Sequence, residues 1–280
     1  MLDTLKMNND LDAFKQFEHS SWEKVAGKYS RFREGLTEQF VDPLLRATAV
    51  SEGMYVLDVA CGPGYLAAKV HRRGAIVIGI DFSENMIRIA RQKYPTVVFI
   101  EGDAEDVPSL GEQFDRVLIN FGLLHFAHPE RAFAEARRVL RPGGILGFTV
   151  WAVPEVNSGA RIITDAIELY ADITLPMPIG PPIFQFCDQE ACRRTLSVAG
   201  FSEGSLTFES HTVQWRHPTT RFWYDAEINA GVRTAALLEL QSSEQRAAIL
   251  EYVERRVEQY AVPGGFSIPM TAHIVTVKLE

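Results

Sequence analysis

Three aspartates stand in or just after short apolar runs. Asp58 lies within Val56-Leu57-Asp58-Val59-Ala60, Asp81 follows Ile76-Val77-Ile78-Gly79-Ile80, and Asp103 comes soon after Val97-Val98-Phe99-Ile100. The first run leads into Cys61-Gly62-Pro63-Gly64, where glycines let the backbone turn tightly and approach a ligand closely. Asp81 comes about 20 positions after that turn, the spacing at which a carboxylate accepts hydrogen bonds from both hydroxyls of a ribose. A helix cap is its rival role, but Ser83 already offers that service. In Gly102-Asp103-Ala104-Glu105, a carboxylate can accept from an exocyclic amine while a backbone N–H donates to a ring nitrogen. Together these read an adenine edge. His125, in Leu123-Leu124-His125-Phe126, follows a fourth run, Arg116-Val117-Leu118-Ile119. It is the candidate general base, against the alternative of a structural histidine bonded to a loop carbonyl.

An adenosine-bearing ligand leaves two candidates. Gly62, Gly64 and Ala67 fit the G-x-G-x-x-A pattern of nicotinamide dinucleotide sites. A carboxylate at Asp58 would repel the anionic pyrophosphate that such a cofactor places there. S-adenosylmethionine instead carries a cationic ammonium and sulfonium, which a carboxylate favours. The loop has no Lys or Arg, which points the same way.

These residues need a frame that delivers them to one edge. Helical spacing runs through Phe14, Phe17, Trp22, Val25, Tyr29 and Phe32, within helices over residues 11–49. From Tyr55 onward, apolar runs alternate with helical stretches as far as a fifth run, Ile145 to Trp151. Continuous apolar strands separated by helices imply a parallel sheet covered on both faces, with ligands at the carboxyl ends of its strands. The expected fold is α/β, Rossmann-like and doubly wound, with a mostly parallel sheet of about seven strands.

The division expected is N-terminal helices closing the site over residues 1–50 and the nucleotide-binding core over 51–151. A first insert over 152–186 follows, with a proline-rich loop at 176–182. The core continues over 187–215, a helical insert spans 216–268, and the last core strand covers 269–280. The two inserts would form a helical lid. Trp151, Phe184, Phe186, Trp215, Phe222 and Trp223 concentrate around them and suggest an apolar pocket that takes an aromatic acceptor, against the alternative of ordinary core packing.

VLDVACGPG, GIDFSENM, GDAEDVP, FDRVLINFGLLHF and RVLRPGG, in this order, resemble the class I S-adenosylmethionine-dependent methyltransferases. They look most like the small-molecule branch typified by the ubiquinone and menaquinone C-methyltransferases. The resemblance implies that Gly62 and Gly64 pass beneath the methionine moiety; Asp58 and Ala60, just before them, are expected at the cofactor as well. It also implies that Asp81 holds the ribose, that Asp103 and Ala104 hold the adenine with Phe82 and Met86 on its faces, and that Asn120 sits near the sulfonium. Ala26-Gly27-Lys28-Tyr29 is similar to the family's N-terminal helix, whose tyrosine closes the cofactor site. The long inserts are a departure from the quinone enzymes.

The totals exclude several other classes. Among 280 residues, 28 are Lys or Arg and 36 are Asp or Glu, a net charge of −8 that matches a nucleic-acid backbone poorly. The three cysteines, Cys61, Cys187 and Cys192, form no disulfide framework and have no zinc-site spacing, so reduced thiols and no metal are expected. No run approaches the ~18 apolar residues of a membrane span, and the polar N-terminus carries no secretion signal. A cytoplasmic methyltransferase acting on a small molecule is the expected function. An NAD-dependent enzyme and a non-catalytic cofactor-binding or partner-binding protein are the alternatives. The oligomeric state, a homo-oligomer included, is left open.

Overall fold

Apolar strands need cover on both faces, and helices supply it here. The computed structural model describes residues 2–108, 110–111 and 113–280, with side chains from residue 10 onward. Helix α1 (Leu2–Tyr29) runs into a π-helical turn (Ser30–Glu34), a short α2 (Gly35–Thr37) and α3 (Val41–Ala47). Strand and helix then alternate: β1 (Tyr55–Val59), α4 (Tyr65–Arg72), β2 (Ile76–Asp81), α5 (Glu84–Lys93) and β3 (Val98–Glu101). The rhythm continues through β4 (Phe114–Asn120), α6 (Pro129–Val139) and β5 (Leu140–Trp151). Next come α7 (Ser158–Tyr170), α8 (Gln189–Val198) and β6 (Thr207–His217). Helices α9 (Phe222–Ala230), α10 (Arg233–Leu240) and α11 (Ser243–Val257) lead to β7 (Ala261–Val262) and β8 (Gly265–Lys278).

The sheet order is β3-β2-β1-β4-β5-β8-β6, with β7 paired to β8. Strands β1 to β5 are parallel, and β8 runs antiparallel between β5 and β6. The chain winds outward from β1 to β3, then returns to place β4 on the other side of β1. That reversal opens a crevice at the carboxyl ends of β1 and β4, where doubly wound sheets bind ligands.

Several strand boundaries differ from the sequence expectation, and strand pairing explains three of them. β5 begins at Leu140 rather than Ile145, because Arg141-Pro142-Gly143-Gly144 is absorbed in a register shift between Phe114 and Arg116. β8 begins at Gly265 rather than Pro269, and β6 runs to His217 rather than Trp215, since the two pair as far as His217 opposite Phe266. Hydrophobic alternation marks only the part of a strand that is buried on one face. Backbone pairing continues past it.

Helix α1 buries Phe14, Glu18 and Ala26 at four-residue multiples, one stripe of the cylinder. Helices α7 and α11 pack on one another, so the two inserts share a core in which Ile162, Trp215, Trp223 and Tyr252 meet Phe40 and Phe121. No helix among the described residues is long and apolar enough to cross a membrane.

Candidate active site

The crevice is a cavity of about 250 Å³ whose walls come from both strand ends, α1 and the two inserts. At its β1 side the chain turns through Ala60, Cys61 and Gly62. Ala60 and Phe121, just past β1 and β4, both adopt left-handed backbone, with φ of 54° and 60°. Such strain in non-glycine residues clusters at functional sites. Asp81 ties this turn to the next strand: Oδ2 accepts from Gly62 N–H at 2.8 Å and Oδ1 from Ser83 N–H at 2.9 Å. Burial pushes the Asp81 carboxyl up to about 6, against the pull of those two N–H groups. Phe82, Met86, Asp103 and Ala104 line the same end, and Ser83 caps α5 by accepting from Met86 N–H.

Helix α1 closes this end with ion pairs. Lys15 reaches Asp103 at 2.5 Å and Glu105 at 2.7 Å. Burial works to lower the Lys15 ammonium, but its bonds to the two carboxylates outweigh that and hold it above the ordinary lysine value. Further along the helix, fully buried Glu18 places Oε2 2.8 Å from His125 Nδ1 and accepts from Arg233 Nε at 3.0 Å. Arg233 also donates to the carbonyls of Pro181 and Leu124. Glu18 and Arg233 together thus join α1, the turn after β4, the proline-rich loop and α10. His125 lies in the cavity wall with Trp22 packed edge-on at 4.8 Å, and its Nε2 meets no protein partner among the described residues.

A polar chain forms another part of the cavity wall. Tyr29 and Tyr65 both bond Thr37 Oγ1, at 3.1 and 3.0 Å. Asn120 Nδ2 donates to Tyr65 at 3.0 Å, and its Oδ1 accepts from Thr149 at 2.6 Å. Burial raises both phenols, which keeps them as neutral donors.

Residues 57–148 match the family model described as a methyltransferase domain. The chain is 31% identical to the demethylmenaquinone methyltransferase of Paenarthrobacter aurescens over 65% of this chain and 77% of that protein. To the demethylmenaquinone methyltransferase of Clavibacter sepedonicus it is 32% identical, over 56% of this chain and 69% of that protein. Among solved structures, the YcgJ protein of Bacillus subtilis shares the fold, with a TM-score of 0.54 at 15% identity over 86% of this chain and 98% of that one. The chain belongs to the class I S-adenosylmethionine-dependent small-molecule methyltransferases.

Within this methyltransferase, most of the expected site residues share the one cavity: Tyr29, Ala60, Gly62, Asp81, Phe82 and Met86 line it, as do Asp103, Ala104, Asn120 and His125. Two do not. Asp58 is buried beneath the turn, where Oδ2 accepts from Ala67 N–H at 3.0 Å, and burial holds its carboxyl well above the usual range. It pins the start of α4 and is not among the residues that line the cavity. Gly64 also lies off the cavity: its φ is +87°, and a Cβ there would stand 2.6 Å from the Phe99 ring. It serves the packing of turn on sheet.

The aromatic residues divide the same way. Trp151, Phe184 and Trp223 line the methyltransferase cavity. Phe186 packs on Phe133 in the core beneath the sheet, and Trp215 lies behind Trp223. Phe222 stacks on His217. Adjacent helix positions point about 100° apart, so Phe222 and Trp223 cannot share a face. Sequence reasoning missed Glu18, Trp22, Arg33, Thr37, Tyr65 and Glu227. The helical spacing Glu18-Trp22-Tyr29-Arg33 was a usable signal, since it sets two charged residues on the stripe that carries Tyr29.

Proposed function

We propose that this methyltransferase acts on a small, mostly apolar or aromatic molecule, with His125 taking the acceptor's proton. The observation that carries the reading is one continuous cavity, acidic where it meets β2 and β3 and aromatic where it meets the inserts, with His125 in its wall. S-adenosylmethionine supplies, when bound, an electrophilic methyl group on a cationic sulfur. The chain's part is to hold and align it. Asp81 would take the ribose hydroxyls on its remaining lone pairs, and Asp103 with the Ala104 N–H would take the adenine. Phe82 and Met86 would pack on the ring. Gly62 has no atom within 4 Å of where a Cβ would stand, so its backbone is open to close approach by the methionine part. Tyr29 and Asn120 brace the wall through Thr37 and Tyr65.

Glu18 accepting from Nδ1–H leaves the Nε2 lone pair of His125 as the base. A proton leaving a phenol, amine or activated carbon would pass to Nε2, while alignment of donor and acceptor supplies much of the acceleration. The curated relatives are named for demethylmenaquinone. Here Phe184 of the first insert and Trp223 of the second complete an acceptor end, which supports a small aromatic acceptor. The unpaired Cys61, Cys187 and Cys192 fit a reducing compartment such as the cytoplasm.

The test is incubation with methyl-labelled donor and a metabolite extract, followed by identification of the labelled product. His125→Ala is expected to lower turnover by ~10²–10⁴-fold with little change in S-adenosylhomocysteine affinity. A second reading, in which Glu18, His125 and Arg233 only clasp the lid, is favoured by the two carbonyls Arg233 also holds. It predicts a lower Tm with normal turnover by the folded fraction.

A further inference from the structure

Arg33 and Glu227 form a buried ion pair in the cavity wall. Arg33 comes from the π-helical turn and Glu227 from α9, with side chains only 13% and 7% exposed. The guanidinium lies 5.1 Å from the ring centre of Trp223 and 5.8 Å from that of Trp215, stacking that orients its planar fork. Only Nη2 is engaged, donating to Glu227 Oε1; among the described residues, Nε, Nη1 and Glu227 Oε2 bond no other protein group. Trp223, 1% exposed and lining the same cavity, has an indole N–H with no acceptor. The indole N–H is fully enclosed, whereas Arg33 Nε and Nη1 and Glu227 Oε2 keep open surface in the cavity wall, so two donors and an acceptor at one spot are available to a ligand group. Around them stand Trp151, Ile163 and Met270, which offer apolar surface.

We propose that the Arg33–Glu227 pair selects an uncharged acceptor carrying a hydroxyl group on an apolar or aromatic body. The inference rests on the reading of this cavity as the acceptor site. A hydroxyl is both acceptor and donor: its oxygen takes an N–H from Arg33, and its hydrogen goes to Glu227 Oε2. A carboxylate would compete with Glu227 for Arg33 and strand a buried charge. An ammonium would compete with Arg33 for Glu227 and do the same. The pair therefore disfavours both ions by the same physics.

Calorimetry in saturating S-adenosylhomocysteine tests this with naphthol, methoxynaphthalene, naphthoate and naphthylmethylammonium. The unmodified protein should bind naphthol about tenfold more tightly than each of the others, the margin of one satisfied polar contact. Glu227→Gln leaves the Arg33 charge without its partner and should move naphthoate ahead of naphthol. Arg33→Met with Glu227→Leu keeps the volume apolar, and naphthol and methoxynaphthalene should then agree within about twofold. Donor-product affinity and Tm of each variant report folding. Naphthoate ranked first by the unmodified protein overturns the proposal, as does equal binding of naphthol and its methyl ether, no binding of any probe, or an unchanged ranking in either variant. Failure to label any metabolite, with the probes ranked as expected, would instead overturn the methyl-transfer reading alone.

Discussion

Glu18 and His125 are 107 positions apart in the chain, yet Oε2 and Nδ1 meet at 2.8 Å, with Glu18 fully buried. A carboxylate on the buried stripe of α1 is tolerated because Arg233 and His125 satisfy both of its oxygens. The contact holds the imidazole ring in one orientation and one tautomer, and it ties the N-terminal helix to the second insert.

Glu18→Gln tests Glu18 as a positioning residue. The amide still reaches His125 but no longer selects the Nδ1–H tautomer, so kcat should fall by about 10–10²-fold with little change in acceptor KM. S-adenosylhomocysteine affinity should hold. Leaving Arg233 without its carboxylate should also lower stability, by ~2–4 kcal/mol in denaturant titration. Lost stability with an unchanged kcat of the folded fraction would reduce Glu18 to a structural clasp.

Asp81 predicts a pH dependence. Its folded-state value of about 6 lies above the ordinary 3.8. Its contribution to the stability of the ligand-free protein is therefore fully present below the ordinary value and lost as pH rises through about 6. On the proposed reading of Asp81, donor binding runs the other way, because ribose hydroxyls would need the ionised carboxylate. S-adenosylhomocysteine affinity should weaken below pH ~6, approaching tenfold per pH unit. Asp81→Asn should flatten that dependence, and Asp81→Ala should weaken binding at pH 8 by ~2–4 kcal/mol. Calorimetry across pH 5–8 checks both.

Gly64→Ala should destabilise the fold rather than block the site. A side chain there must hold φ at +87° and displace the Phe99 ring. Together these should cost about 2–4 kcal/mol by denaturant titration. Donor affinity of the folded fraction should be nearly unchanged, because Gly64 lies off the cavity. Strong loss of affinity without loss of stability would return Gly64 to the ligand.

Hydrogen exchange tests closure. If α1 and the inserts seal the donor, S-adenosylhomocysteine should slow exchange in residues 20–35 and 176–186. The Arg233 bond to the Pro181 carbonyl gives the proline-rich loop a specific anchor. Arg233→Met should abolish the protection of 176–186 while leaving that of residues 81–86. Equal exchange with and without ligand would mean that the cover is permanent.

Much of the nucleotide-binding half was legible from residue types and order. A parallel strand buried on both faces must be an apolar run, and a turn that approaches a ligand must carry glycine, so β1 to β5 and the Gly62 loop announce themselves locally. Asp81 and Asp103 were legible too, because their position after a strand is a property of the chain alone. The direction in which a side chain points was not. Asp58 read as a ligand-facing charge, yet the fold turns it under α4; Phe186, Trp215 and Phe222 read as pocket aromatics, yet they lie in cores. Glu18, Arg33, Glu227 and Arg233 carry no motif, since each acquires its role from a partner far along the chain. Such pairings depend on how α1 and the inserts dock over the strand ends. That docking is decided by tertiary packing, in which a buried charge is stable only where a distant partner meets it.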